Sequence, residues 1–178
     1  MAFTILTGIW ETGYIIRHSQ TVASAEALIE TGKRVWLSDY NLGMLLPFNF
    51  SVIFYAEYGA WADREYMTTK DRWSKLIEGT HAIFCGFFSL LAILFYLVNS
   101  VQNSTVSISV AMGSQLMNSV LYMGQYSIQT KDQMSVNFDC SDFPCGKLYI
   151  KRPFMWINIF WTVMPAYIIL RLFFSGGF

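Results

Sequence analysis

Glu78 and His81 stand three residues apart near the start of WSKLIEGTHAIFCGFFSLLAILFYLV, residues 73 to 98, a stretch otherwise apolar enough for lipid. On a helix that spacing puts both side chains on one face. Asn158 and Trp161 repeat the spacing in a second apolar run, and Glu11 sits in a third. A carboxylate near mid-membrane costs on the order of 2.5 to 3.5 kcal/mol on insertion scales, so two of them need a reason. Proton chemistry is one. In low polarity one acid stays protonated and able to donate while its neighbour stays ionised to receive, and a Trp face beside them stabilises positive charge on an apolar substrate. The plainer reason is that both acids lie near the interface, within reach of water, with Glu78 paired to Lys75 or His81. Spacing alone leaves the two level.

The elements that position these residues follow from composition. Of 178 residues 54% are hydrophobic, 13% charged and 17% aromatic, a balance outside the soluble norm. Apolar runs cover residues 2 to 16, 73 to 98, 105 to 128 and 153 to 174. A span of roughly 30 Å takes about 20 residues, which the last three supply and the first falls short of. The first lacks a basic start and carries Glu11, so it reads as a retained helix rather than a signal peptide. The expectation is an all-α, polytopic membrane protein, a four-transmembrane-helix bundle forming one domain over residues 1 to 178, with a loop insert at 18 to 71.

Every Lys and Arg except Arg171 lies in or beside the two long loops, which places those loops on the cytosolic or matrix side. Cys140 and Cys145 flank a short turn in the second loop, and their spacing suits a disulfide, which points instead to an oxidising side; two ordinary thiols fit equally. No His accompanies them, so no metal site is expected. In the first loop, SAEALIETGKRVWL reads as an amphipathic helix capped at Ser24 and interrupted at Gly32. The segment GMLLPFNFSVIFYAEYG, broken by Pro47, reads as lying in the interface or dipping into the membrane; a fifth crossing is its alternative.

Depth then groups the polar residues. Glu11 precedes Arg17 by six residues, Glu78 follows Lys75 by three, and Asn158 follows Arg152 by six. At about 1.5 Å per residue each lies roughly 5 to 10 Å inside the loop-side surface. Gln115, Asn118 and Ser119 of the third run lie deeper, beside the small residues Ala111, Gly113 and Ser114 that permit close packing. Four helices would enclose a polar pocket walled by aromatics.

The segments EYGAWADREYMTTKDRWSKLIEGTHAIFCGFFSL, GSQLMNSVLY and RPFMWINIFWTVMPAY resemble, in order and spacing of their polar markers, those of the emopamil-binding protein family of sterol delta-8 to delta-7 isomerases, and hence the EXPERA-domain group that includes the sigma-two receptor. The similarity runs from about Tyr55 to Leu170, omits the Cys-containing loop, and has a weaker echo in GIWETG. It implies an intramembrane sterol pocket in which Glu78 stabilises a cationic intermediate, Glu11 is its partner acid, and Asn158 and Trp161 contact ligand. The chain departs from that pattern too. Thr7 stands where the family has a His, and His81 where it has a Thr; the family's additional leading helix is missing and the first loop is longer.

Two functions follow. In the favoured one the chain is a non-catalytic, lipid- or sterol-binding accessory subunit of a larger membrane complex, in the mitochondrial inner membrane or the endoplasmic reticulum, with other membrane subunits as partners. In the alternative it is an active sterol isomerase, with Glu78, Glu11 and His81 catalytic. Either way Asn158, Trp161, Gln115 and Asn118 are the expected ligand contacts. No cofactor, metal or nucleic-acid partner is expected, since the sequence has no glycine-rich phosphate loop, no His pair at ligand spacing and no basic cluster.

Overall fold

The computed structural model describes residues 1–65, 72–138 and 153–175, with side chains for all of these but 72–74 and 153–154. Cys140 and Cys145 lie outside the described residues. Within the described residues the chain is all-helical: α1 (Ala2–Ile16), α2 (His18–Thr31), α3 (Pro47–Trp61), α4 (Arg72–Leu97), α5 (Val101–Gln129) and α6 (Pro153–Ser175), with short 3-10 turns at Val35–Leu37 and Leu42–Leu45. Two stretches, Lys75–Leu97 of α4 and Met155–Ser175 of α6, are long and apolar enough to cross a membrane. The 29 residues of α5 are long enough but diluted by Ser, Asn and Gln, and α1, at 15 residues, rises about 22 Å.

α1 runs antiparallel to α4, and glycine sets how closely. A Cβ on Gly8 would stand 3.0 Å from the Ala82 carbonyl oxygen, and one on Gly86 would stand 3.2 Å from the Thr4 carbonyl oxygen. Backbone therefore meets backbone, the close approach that small residues allow. Gly113, expected to serve this purpose in α5, has nothing within 4 Å of its Cβ position. There the contact is made by Ala111, buried with Ala92, Ile108 and Met112 between α4 and α5.

The turn from α4 to α5 closes as a Schellman cap. Asn99 adopts φ 59°, its N–H bonds to the Tyr96 carbonyl at 3.0 Å, and the Ser100 N–H reaches the Phe95 carbonyl at 2.8 Å. α6 then packs antiparallel on α5 although Pro165 interrupts its interior. Proline offers no N–H to the carbonyl four residues back, here Trp161. The Ser119 hydroxyl of α5 donates to that carbonyl instead, at 3.0 Å.

One expectation for the first loop changes. Ser24 is not a cap: the helix starts at His18, broken from α1 only at Arg17, because Ala25 packs against Ala56 and Ala60 of α3 and holds α2 there. Gly32 ends that helix in the left-handed conformation, φ 65°. Pro47 does divide its segment: the 3-10 turn ends at Leu45, Leu46 is extended, and α3 begins at Pro47. It takes the first turn of α3, where its missing N–H costs nothing. α3 packs one face into protein, where Ser51, Val52, Tyr55, Ala56, Gly59 and Ala60 are buried. Ser51 donates to the Trp10 carbonyl at 2.6 Å and ties α3 to α1.

Candidate functional site

Five helices contribute one face each to a cavity of about 390 Å³. α1 supplies Phe3, Thr7, Trp10 and Glu11, and α4 supplies Glu78, His81 and Ala82. α5 adds Gln115, Asn118, Ser119 and Tyr122, and α6 adds Ile157, Asn158 and Trp161. Spacings of three and four are the signature of a single helical face, so the chain brings one stripe of each helix to a common space. Glu11, Glu78, His81, Gln115, Asn118, Asn158 and Trp161, the residues singled out from the sequence, all line it.

The fifth wall was not expected. Phe54, Tyr55 and Tyr58 come from α3. Tyr55 donates to Glu11 Oε1, and Glu11 itself is only 8% exposed, which makes that hydroxyl a principal reason the acid tolerates burial. Glu78 Oε2 accepts from Asn118 Nδ2 at 3.2 Å, so the second acid is held by α5. His81 turns toward neither acid. Its Nε2 lies 3.2 Å from the Cys85 Sγ one turn along, and the ring also bonds to the Ser114 backbone. Thr7 donates to the Thr4 carbonyl at 3.0 Å.

Aromatic rings complete the walls. Phe3 stacks on Trp161 with centroids 5.1 Å apart and thereby joins α1 to α6 across the cavity. Trp10 contacts Phe50 and Phe54 at 5.1 and 5.5 Å. The site is thus apolar on its sides, with a polar end where Tyr58 bonds to both Tyr122 and Asn158. Behind that end lies a second polar group: Tyr122 donates to Asp63 Oδ2 at 2.8 Å, and Asn137 Nδ2 donates to Asp63 Oδ1 at 2.8 Å. Asp63 and Asn137 are 3% and 1% exposed. Sequence reasoning missed this cluster. The signal available was the pair Tyr55 and Tyr58, three apart on a segment that Pro47 opens as a helix.

An arrangement of this kind can enclose an apolar body and anchor one polar handle. Two carboxylates in one cavity, with no Lys or Arg among the described residues of its wall, give the polar end a bias toward hydrogen-bond donors. Among the described residues no group of three or more His, Cys, Asp or Glu is placed to hold a metal ion. No family model, curated protein or solved structure matches this chain.

Proposed function

We propose that the chain is a membrane-embedded four-helix bundle that binds a lipid or sterol in this cavity without transforming it, as an accessory subunit of a larger membrane complex of the mitochondrial inner membrane or the endoplasmic reticulum. The observation that carries the binding reading is how the acids are held. Glu11 is bonded to Tyr55 and Glu78 to Asn118, while His81 is engaged by Cys85. A general base must lie within hydrogen-bond reach of the proton it moves, and here the only imidazole in the cavity wall serves a thiol instead. The volume falls in the range of small-ligand pockets, roughly 300 to 1,000 Å³. The resemblance to the emopamil-binding group supports an apolar ring system as the ligand class, and the apolar faces of α1, α4, α5 and α6 support burial in a bilayer.

A specific observation keeps the catalytic alternative in view: both carboxylates line one cavity, the requirement for shuttling a proton between two carbons of a sterol. One experiment separates the two. The chain is extracted gently from its own membranes, sized in its native state, and assayed for sterol binding and for delta-8 to delta-7 conversion. The accessory reading expects a large particle, retained sterol and no conversion. Conversion that disappears in Glu78→Gln and Glu11→Gln would establish the isomerase, and a lone chain that retains no lipid would overturn both.

A further inference from the structure

Between α2 and α3 the chain turns its apolar side chains outward. Leu37 is 86% exposed and Leu42 85%, and Trp36, Tyr40, Leu45 and Leu46 are exposed beside them. A single exposed leucine is ordinary; six large apolar residues gathered between positions 36 and 46 are not. The segment is also tied down at both ends. At the first, the Arg34 guanidinium bonds to Glu57 Oε1 at 2.9 Å and lies over the Trp61 ring, the Val35 N–H reaches Glu57 Oε2 at 3.0 Å, and the Val35 side chain is buried. At the second, Arg17 donates to Asn49 Oδ1, and Asn49 Nδ2 donates to the Gly43 carbonyl at 2.7 Å. The backbone is therefore held to the bundle while the leucines between the two ties face away from it.

The height of this segment in the bundle points to what covers it. A Cβ on Gly79 of α4 would meet the Ile15 side chain, so the end of α1 is level with the beginning of the apolar stretch that opens at Lys75. Arg17, next along α1, holds Asn49 and the second turn near that level. Across the bundle, α3 keeps the same height: Tyr58 bonds to Asn158, three residues into the apolar stretch that opens at Met155. Both ties thus lie where the apolar runs of α4 and α6 begin.

We propose that residues 36 to 46 are an interfacial anchor, lying at the boundary of headgroups and acyl chains with Leu37, Leu42 and Leu45 immersed, and that the partner of this surface is lipid rather than another protein. This rests on the membrane-embedded reading and adds to it a second, separate lipid contact outside the cavity. The make-up of the segment favours lipid. Residues 38 to 41 belong to neither helix nor strand, and Ser38, Asp39 and Asn41 are exposed among the leucines. Irregular backbone and a carboxylate are excluded from the hydrocarbon core but stay hydrated at interfacial depth. Tryptophan and tyrosine, here Trp36 and Tyr40, concentrate at that depth. A protein partner would have to match each of those polar groups, and its anchoring contacts favour aromatics and arginine over leucine.

The test uses the full chain with Cys140 and Cys145 replaced by serine and one new cysteine at a time: Leu37→Cys, Leu42→Cys or Leu45→Cys, all at exposed positions where the fold loses no packing. Each is labelled with a nitrobenzoxadiazole dye and reconstituted alone in phosphatidylcholine vesicles that carry a nitroxide either shallow or deep on the acyl chain, with iodide as the aqueous quencher. Phe87→Cys, 55% exposed at the middle of the α4 apolar stretch, reports the bilayer core, and Glu30→Cys on the exposed side of α2 reports water. The three leucine positions are expected to be quenched several-fold more by the shallow nitroxide than by the deep one, and to be several-fold less open to iodide than position 30. Iodide access equal to that of position 30, with position 87 answering to the deep nitroxide, overturns the anchor and leaves the membrane reading standing. Shielding that is seen only in the native particle from the protein's own membranes, and not in the vesicles, assigns the surface to a protein partner and equally overturns it. Iodide access at position 87 overturns the membrane reading and the anchor with it.

Discussion

At the scale of single residues the molecule is governed by how its buried polar groups find partners. Tyr55→Phe removes the donor to Glu11 and leaves a carboxyl that is 8% exposed short of one partner. A loss of about 1 to 3 kcal/mol is expected for such a group, to be read from chemical unfolding in detergent beside wild type. An unchanged midpoint would mean that Glu11 is satisfied elsewhere. His18 gives a pH dependence of definite sign. Burial first, and the Lys75 cation second, push its pKa below the ordinary histidine value, and its ring meets Tyr14 edge-on at 5.3 Å. The unfolded chain thus takes up the proton first as pH falls. The contribution of His18 is complete above about pH 6.5 and is lost as pH drops from there through the folded value. Melting curves across that window should flatten in His18→Gln; an identical slope in the variant would show that other groups carry the pH dependence. Residue types at helical spacing made Glu11, Glu78, Asn158 and Trp161 visible in the sequence. Asp63 and Asn137 were not, because their bond joins positions 74 apart and no local pattern announces such a partner.

Helices are where sequence and structure correspond most closely, and the reason is physical. Apolar residues must be sequestered wherever they fall, so the long hydrophobic runs declare themselves, whereas a 15-residue helix such as α3 is marginal alone and exists by virtue of what it packs on. Ser51 against Trp10 and Ala56 against Ala25 are tertiary facts, absent from any window of sequence. Two substitutions test what holds the helices together. Ser119→Ala leaves the Trp161 carbonyl without the bond that Pro165 cannot supply, and should destabilise by about 1 to 3 kcal/mol. In the double variant with Pro165→Ala the backbone N–H returns, and the cost of losing Ser119 should shrink; additive losses would show that the hydroxyl does not compensate for the proline. Gly8→Ala pushes a methyl toward the Ala82 carbonyl at 3.0 Å, and because the obstacle is backbone the helices must separate. A penalty of about 1 to 3 kcal/mol is expected, together with weakened ligand retention, since Glu11 rides on the same helix.

For the whole molecule, the proposed membrane reading has to account for a bundle in which, among the described residues, α4 and α6 alone are long and apolar enough to cross by themselves. Packing supplies the answer for α5. It leaves α4 through the Schellman turn at Asn99, runs back along it, and seats Ser104, Ser107, Gln115 and Ser119 in the protein interior, while Gln102, Asn103, Ser109 and Gln125 stay exposed towards its two ends. The middle of its outward face carries Val106, Val110, Met117, Val120 and Leu121, all exposed in the isolated chain and suited to acyl chains, with Ser109 the polar residue among them. A helix whose polar side is covered by neighbours crosses at far less cost than its average hydropathy implies. If that holds, Asn103 and Asp132, at opposite ends of α5, lie on opposite sides of the membrane. Single cysteines placed at each, in a chain with Cys140 and Cys145 replaced by serine, should react with an impermeant maleimide from opposite faces of sealed vesicles. Labelling of both from one face would bring α5 to the surface, take Gln115, Asn118 and Ser119 out of any intramembrane cavity, and leave Glu78 without the amide that holds it.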